Sequence, residues 1–138
     1  MEIVIAPDKF KGTLTAAQAA EAIAEGIRRA ARRTGRTDVR LTLKPMADGG
    51  EGSLDILAGS NGTYRPVEAF DARMRPLQSA YVALPNGTGK RAAVEAASTI
   101  GLYKLPKAER NPALTTSYGM GAVLRKAIEA GYTELVVA

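Results

Sequence analysis

Cysteine, histidine and tryptophan are absent from this 138-residue sequence, and its only aromatic residues are five tyrosines and two phenylalanines. The lack of cysteine excludes disulfides and thiolate nucleophiles. Together with the lack of histidine, it excludes zinc sites built from those residues and every catalytic triad that uses imidazole as its base. Any chemistry must therefore use carboxylates, lysines, arginines, hydroxyls and backbone amides.

Long apolar runs are missing as well. The run Ile3–Ala6 is far shorter than the apolar core of a signal peptide, and it is followed by Pro7, Asp8 and Lys9. No run approaches the roughly 18 apolar residues that a membrane span requires. We therefore expect a cytoplasmic protein that has no membrane partner.

The positive charge is concentrated in one short segment. The sequence has 19 basic and 14 acidic residues, and residues 28–40 hold six arginines against one aspartate, so that the rest of the chain is neutral. Cations near the end of a helix are favoured by the helix dipole, and so few aromatic residues provide no platform for stacking bases. We expect no nucleic-acid partner.

The first third of the chain has the pattern of a βαβ unit. Glu2–Ala6 is predicted to be a strand, and Thr15 stands three residues before Gln18, which is the spacing of a helix capping box. The helix is expected to end just before Gly35, and the alternation over Val39–Leu43 predicts a second strand. Such a unit normally forms a parallel sheet with a right-handed crossover.

The remaining residues predict a β-rich segment followed by a helix and a strand. Pro85-Asn86-Gly87 is predicted to be a turn between strands, and the helix is expected to begin after Thr116 or Ser117 and to end at Gly131. The predicted strands are Thr63–Phe70, Ser79–Leu84, Arg91–Glu95 and Glu134–Ala138.

These elements predict an α/β fold with a Rossmann-like or flavodoxin-like parallel sheet flanked by helices and a β-rich inserted segment. The predicted portions are 1–60, which carries the substrate site, 61–112, the β-rich segment, and 113–138, a helix and strand. A chain that ends on an apolar strand is expected to be part of a longer protein. Its unpaired edge favours association, so a homo-oligomer is among the expected states.

Two loops follow the first two strands, where ligands bind in open parallel sheets. Asp8-Lys9-Phe10-Lys11-Gly12-Thr13 places two ammonium groups on a glycine-hinged loop, which suits phosphate or carboxylate oxygens. A solvated loop is the equally weighted alternative. The second loop, Asp48-Gly-Gly-Glu51-Gly52, has two interpretations. Either Asp48 and Glu51 cap the following helix, or these carboxylates hold Mg²⁺ or accept a hydroxyl proton beside a closely approaching ligand.

Three further features each have two interpretations. Glu95 at the end of a strand is either a buried acid or a solvent-facing charge. Arg110 either binds a carboxylate with both of its terminal nitrogens or lies along the surface. Thr116 and Ser117 provide either a helix cap or an anion site on backbone amides.

Several of these motifs occur together in one known family. The sequence resembles the glycerate kinase type 1 family over nearly its whole length, through motifs at Ala6–Thr15, Pro45–Gly52, Ala93–Ala97, Gly101–Leu102, Arg110–Pro112 and Thr116–Gly119. The resemblance implies phosphoryl transfer from ATP to a hydroxyl of D-glycerate, with Mg²⁺, in a cleft between two α/β domains. In that family a Gly-Gly-Ser-Ala-Thr-Asn-Asp-Gly-Gly segment comes next, so this chain is expected to be an amino-terminal portion.

Phosphoryl transfer depends mainly on positioning and on charge neutralisation. With the resemblance, this assigns Asp48 and Lys11 to catalysis and Asp48 and Glu51 to the metal ion. The residues assigned to substrate or phosphate are Asp8, Lys9, Lys11, Gly49, Gly50, Arg110, Thr116 and Ser117. Two alternatives remain: a kinase of another small hydroxy acid, and a binding or structural module without catalysis.

Overall fold

The computed structural model describes residues 1–85 and 90–138. It divides into two compact units, Met1–Asp48 and Gly49–Ala138. The α/β class is confirmed, because each unit combines a sheet with packed helices. The predicted turn at Pro85-Asn86-Gly87 falls mostly on residues outside the described ranges.

The first unit is a βαβ unit of two parallel strands and one helix, as predicted. Strand β1 (Glu2–Ile5) pairs with β2 (Arg40–Leu43) in the register Glu2↔Arg40 to Ile5↔Leu43. Helix α1 (Ala16–Arg33) connects them. Its small side chains allow a close approach to the sheet, because Ala20 and Ala24 are buried against Ile5.

Both ends of α1 follow from the local sequence. The Thr15 side chain accepts a hydrogen bond from the Gln18 N–H (3.1 Å), and the Gln18 side chain accepts one from the Thr15 N–H (2.9 Å). At the other end Gly35 has φ +68°, and the Arg36 N–H reaches back to the Ala31 carbonyl (2.9 Å). This is the Schellman ending that the glycine predicts.

The second unit contains a four-stranded mixed sheet in the order β3-β4-β5-β6, in which only the β5–β6 pair is parallel. Its elements, in chain order, are α2 (Ser53–Gly59), β3 (Thr63–Phe70), β4 (Pro76–Leu84), β5 (Arg91–Val94), α3 (Ala97–Ile100), α4 (Tyr118–Glu129) and β6 (Glu134–Val137).

Helices cover both faces of this sheet. Alternate residues of the central strands point to opposite sides, so that Val94 packs in a cluster with Val123 of α4, whereas Val82 packs with Leu54 of α2. Gly119 is required in the first turn of α4, because a Cβ at that position would overlap the Phe70 carbonyl oxygen. The helix therefore lies unusually close to the end of β3.

The structure differs from the prediction mainly between β5 and α4. Strand β4 begins at Pro76 instead of Ser79, and α3 was not predicted. Three short 3₁₀ turns were also missed, at Leu102–Lys104, Lys107–Glu109 and Pro112–Leu114. Single turns contain too few residues to show a hydrophobic period.

The predicted portions 61–112 and 113–138 contribute to one sheet, because β6 pairs with β5. Their assignment to domains of a longer fold stays a prediction. Within the residues that the structure describes, no helix is both long enough and apolar enough to span a membrane.

Candidate active site

The loops that follow β1 and β2 leave the sheet side by side. Backbone pairing continues beyond both strands, since the Lys44 N–H donates to the Ile5 carbonyl (2.8 Å) and the Met46 N–H donates to the Pro7 carbonyl (2.9 Å). The chain is therefore held in register up to the two predicted site loops. This is the carboxyl end of parallel strands, where ligands bind in α/β folds.

Lys9 and Asp48 meet across these loops. The Lys9 Nζ lies 3.4 Å from Asp48 Oδ1 and 3.9 Å from Asp8 Oδ1, and the Lys9 N–H donates to Asp8 Oδ1 (2.6 Å). The Lys9 side chain is only 18% exposed, whereas that of Asp48 is 71% exposed. The structure thus brings together three predicted site residues, with a sheltered ammonium group and an accessible carboxylate.

Lys11 occupies the tip of a tight turn in the same unit. The Phe10 N–H donates to the Leu14 carbonyl (2.9 Å), and the Thr13 N–H donates to the Phe10 carbonyl (2.8 Å). Gly12 has φ +72°, a conformation that glycine adopts without strain. The turn presents the exposed Lys11 side chain to solvent from a fixed backbone.

The second unit begins with residues 49–52, the glycine loop. Gly49 has φ +96° and Gly52 has φ +92°, and the Ser53 hydroxyl donates to the Gly50 carbonyl (2.7 Å). A Cβ at Gly49 or Gly52 would meet nothing within 4 Å, so conformation and not crowding requires these glycines. The backbone is consequently open to a ligand on that side.

The capping-box interpretation of Asp48 and Glu51 is wrong. Helix α2 begins at Ser53, and its Ncap residue is Gly52, which has no side chain to make a capping bond. The acceptor comes from elsewhere in the chain, because the Leu54 N–H donates to Glu95 Oε2 (3.0 Å). The Ncap of α2 is therefore Gly52, and its first turn is bonded to Glu95.

Glu95 is the buried acid of the two alternatives for that residue. It is 3% exposed and directly follows β5. Burial raises the pKa of its carboxyl group, although hydrogen bonds from the backbone N–H groups of Leu54, Gly52 and Ser53 act in the opposite direction. Nearby Asp55 adds to the rise. The Glu95 carboxylate thus stabilises the end of the glycine loop by accepting hydrogen bonds from its backbone.

The pKa values of two tyrosines are raised in part by the negative charges near the glycine loop. The Tyr64 hydroxyl donates to Asp55 Oδ1, and burial together with this bond raises the pKa of Tyr64. Burial also raises the pKa of Tyr103, as do the negative charges of Glu51, Glu95 and Asp55. Glu51 therefore lies in the same electrostatic environment as the buried Glu95.

Arg110, Thr116 and Ser117 lie in the segment between α3 and α4. The Arg110 Nε donates to the Leu105 carbonyl (3.0 Å), which fixes the base of an exposed guanidinium group. The Thr116 hydroxyl accepts from the Tyr118 N–H (3.2 Å), and Ser117 precedes α4 without capping it through its side chain.

A turn between β3 and β4 anchors this segment. Arg73 Nη1 donates to the Leu114 carbonyl (3.1 Å), Arg75 Nη1 lies 2.9 Å from Glu109 Oε2, and the Thr116 N–H donates to the Ala72 carbonyl (2.9 Å). The predicted residues Arg110, Thr116 and Ser117 are thus supported by residues 72–75, whereas the glycine loop is supported by Glu95.

Asp71 organises that turn. Its Oδ1 accepts from the Arg73 N–H (2.7 Å) and the Arg75 N–H (2.9 Å), and its Oδ2 accepts from the Arg75 Nε (2.6 Å). Burial opposes ionisation, but the bonds from Arg75 and Arg73 outweigh it and lower the pKa of Asp71. Sequence reasoning missed this network. The Asp71-Ala-Arg-Met-Arg75 pattern between two strands was the available signal.

The donor set suits a hard cation without forming a closed metal cage. In the described portions of the chain, no three carboxylates are grouped so that they could hold a metal ion. Mg²⁺ usually binds through one or two carboxylates plus waters and substrate phosphates. The accessible oxygens of Asp48 fit that role, and the assignment of Asp48 and Glu51 as ligands stays a prediction.

Comparison with known proteins gives one consistent result. The model of the glycerate kinase family matches residues 3–138. Glycerate kinase of Halalkalibacterium halodurans is 37% identical over 135 residues, covering 98% of this chain and 34% of that protein. Glycerate 2-kinase of Escherichia coli is 33% identical over 138 residues, covering 99% and 34%.

A solved structure supports the same relationship. A protein described as a glycerate kinase 2 from Salmonella typhimurium LT2 superimposes with a TM-score of 0.72 and 33% identity, covering 99% of this chain and 36% of that one. The chain therefore spans about a third of the length of the relatives it matches.

Proposed function

The chain belongs to the glycerate kinase family, and we propose that it contributes part of the active site of an ATP-dependent kinase of D-glycerate. The match over residues 3–138 to relatives named as glycerate kinases carries the proposal. The Lys9–Asp48 pair supports it, because phosphoryl transfer needs a cation and an accessible carboxylate at a ligand-binding edge.

In this proposal Lys9 and Lys11 bind phosphate or substrate oxygens. Asp48 either accepts the proton of the attacking glycerate hydroxyl or, with Glu51, binds Mg²⁺. The sheltered position of Lys9 supports its role, because an ammonium group shielded from water attracts a phosphate more strongly than a fully solvated one. When bound, Mg²⁺ neutralises the charge that develops on the phosphates.

The glycine loop and the 110–117 segment would provide the remaining contacts. Gly49 and Gly50 offer backbone to the phosphates, and Asp8 fixes the backbone at Lys9 by accepting its N–H (2.6 Å). Arg110 would bind the glycerate carboxylate, and Thr116 and Ser117 would contact substrate or phosphate oxygens. Held at its base by Leu105, the Arg110 guanidinium requires little further ordering to do so.

Steady-state assays of ADP release test the roles of Lys9 and Asp48, using the whole protein with D-glycerate, ATP and Mg²⁺. Lys9→Met and Asp48→Asn should each lower kcat by about 100-fold or more. Lys126→Met is the matched control, since Lys126 pairs with Glu129 at 2.9 Å on the surface of α4. Unchanged turnover in Asp48→Asn would exclude it as base and ligand.

The substrate itself is tested through Arg110. Arg110→Ala should raise KM for D-glycerate with a smaller effect on kcat, because the lost interaction is with a group distant from the transferred phosphoryl group. An increase below about twofold would contradict the assignment. A screen of small hydroxy acids distinguishes a glycerate kinase from a kinase of another acid.

The remaining expectations concern location and partners. We propose a cytoplasmic protein whose partners are ATP and D-glycerate, without a nucleic-acid or membrane partner. The net positive charge of the chain lies in residues 28–40, which supports the view that no extended nucleic-acid surface is present. Self-association through the edge of β6 is a further expectation, which size measurements at several concentrations can check.

A further inference from the structure

Three arginines line a cavity in the first unit, at the end of α1 that leads into β2. Arg28, Arg32 and Arg36 surround a volume of about 300 Å³, together with Thr37. Arg28 and Arg32 are one helical turn apart, and the Schellman reversal at Gly35 returns Arg36 to the same cavity. Guanidinium groups and a hydroxyl are suitable donors for a multiply charged anion.

The floor of the cavity is apolar. It is formed by Ala31, Val39 and Leu41, all partly buried. Apolar walls lower the local dielectric constant, so that the attraction between a guanidinium group and an anion is stronger there than at an open surface. The volume accommodates a diphosphate or a small phosphomonoester, but not a folded macromolecule.

The helix dipole does not fully account for these arginines. Basic residues in a last turn can offset the dipole and bind the final carbonyl groups. Here backbone donors already satisfy those carbonyls: the N–H groups of Thr34, Gly35 and Arg36 bond to Ala30, Arg32 and Ala31. The helix end is therefore complete without any guanidinium group.

The three arginines are already paired with carboxylates, and an anion could replace these partners. Their carboxylate partners are Glu21 for Arg28 (3.7 Å), Glu25 for Arg32 (3.2 Å) and Asp38 for Arg36 (3.3 Å). The side chains in these pairs are 42–65% exposed, and exposed pairs contribute little because water screens them. A dianion that reaches two or three guanidinium groups at once can displace such contacts.

We propose that this cavity is a binding site for a small phosphate-bearing anion, distinct from the Lys9–Asp48 pair. The two sites lie at opposite ends of the β1–β2 sheet, because the cavity precedes β2 whereas Asp48 follows it. The inference does not depend on the proposed kinase activity. Three of the six arginines in residues 28–40 line the cavity, and these three would bind the ligand.

Titration calorimetry with inorganic pyrophosphate at low ionic strength tests the site in the whole protein. The double variant Arg28→Gln/Arg32→Gln should weaken binding at this site by about tenfold or more, since each lost guanidinium contact to a phosphate is charge-assisted. Arg125→Gln is the matched control. Its side chain is 66% exposed, compared with 65% for Arg32, and it also pairs with a glutamate, Glu129.

Two further variants distinguish the cavity from the proposed active site and from attraction by charge alone. Lys9→Met should leave pyrophosphate binding at the arginine cavity unchanged, because Lys9 lies at the other end of the β1–β2 sheet. Arg32→Lys keeps the charge but loses the planar donor geometry, and should weaken binding less than the double variant does. Equal melting temperatures for the variants and the unmodified protein would show that the fold is retained.

Any of three results would overturn the proposal. The first is that Lys9→Met abolishes all pyrophosphate binding. The second is that Arg125→Gln weakens pyrophosphate binding as much as the double variant does. The third is tight binding of single-stranded RNA that depends on the same arginines. The last result would identify the segment as a polyanion surface instead of a small-molecule site.

Discussion

Asp71 and Glu95 are both buried carboxylic acids in the second unit, yet their environments shift their pKa values in opposite directions. Asp71 is 7% exposed and its pKa is lowered, whereas Glu95 is 3% exposed and its pKa is raised. Burial opposes ionisation at both sites. Low exposure alone therefore does not set the direction of the pKa shift, because the partners of the carboxyl group also contribute to it.

The partners differ in charge. Asp71 accepts two backbone N–H bonds and also contacts the Arg75 guanidinium at 2.6 Å. Glu95 receives backbone N–H bonds, and its charged neighbour is the like-charged Asp55. At Glu95 the backbone bonds only partly offset the loss of water around the carboxylate, whereas at Asp71 the two backbone bonds and the Arg75 guanidinium group together outweigh it.

The largest effect is expected from Asp71→Ala. The change removes the acceptor of three partly buried hydrogen bonds from Arg73 and Arg75, so it should lower the free energy of unfolding by about 3 kcal/mol. Chemical denaturation at pH 7 measures this loss. Asp71→Asn keeps one acceptor oxygen and should lose less; an equal loss would show that geometry at Asp71 matters less than its charge.

Glu95→Ala comes next, with an expected loss of about 2 kcal/mol, because the Leu54 N–H loses its acceptor. Glu95→Gln isolates the charge. A raised pKa means that Glu95 stabilises the fold most at a pH below 4.5, its ordinary value, and that this contribution declines as the pH rises through the folded pKa.

The unfolding free energy of the unmodified protein relative to Glu95→Gln should therefore fall as pH increases through that window. Asp71 has the opposite sign, since its lowered pKa gives a contribution that is present above pH 3.8 and is lost as the pH falls through the folded pKa. Denaturation curves of Glu95→Gln and Asp71→Asn at several pH values measure both slopes. Parallel slopes would refute the contrast.

Arg75→Met tests the cause of the contrast directly. Without the guanidinium group the pKa of Asp71 should rise, and the loss of acid stability should begin at a higher pH. Because the Arg75 side chain is 47% exposed, water screens its pair with Asp71, and the loss of stability at pH 7 should be smaller than that of Glu95→Ala. Arg29→Met, which breaks an exposed pair with Glu25, is the control.

Thr15→Ala should have the smallest effect and extends the comparison to helix starts. Helix α1 begins with a local hydroxyl acceptor, whereas α2 uses the distant Glu95 carboxylate. Loss of the Thr15 cap should cost about 1 kcal/mol, independent of pH between about 4 and 8. Thermal unfolding at both ends of that range checks it, and a strong pH dependence would contradict the interpretation.

The same distinction between local and distant partners decides how far the sequence predicted the structure. The βαβ unit, the Thr15 cap and the Gly35 ending follow from contacts a few residues apart, and these predictions were correct. The rule that ligands bind at the carboxyl ends of parallel strands singled out both loops, and the contact of Lys9 with Asp48 is what the structure adds. Local pattern and general topology were sufficient in these cases.

Contacts between distant residues could not be predicted in this way. The capping role of Glu95 joins residues 41 positions apart, as does the bond from Arg73 to Leu114. Nothing in the local pattern at Leu54 or Leu114 indicates such a partner. The position of Glu95 after the strand Arg91–Val94 left both a buried and a solvent-facing acid open, and its acceptor role depends on the tertiary fold.

The turn at residues 71–75 also has a consequence for dynamics. Between α3 and α4 the chain forms only single 3₁₀ turns, and bonds from Arg73, Arg75 and Ala72 tie that stretch to the β3–β4 hairpin. Segments linked in this way open as one cooperative unit. The Thr116 amide should therefore exchange its hydrogen at a rate set by opening of the hairpin, although it lies far from that hairpin in the sequence.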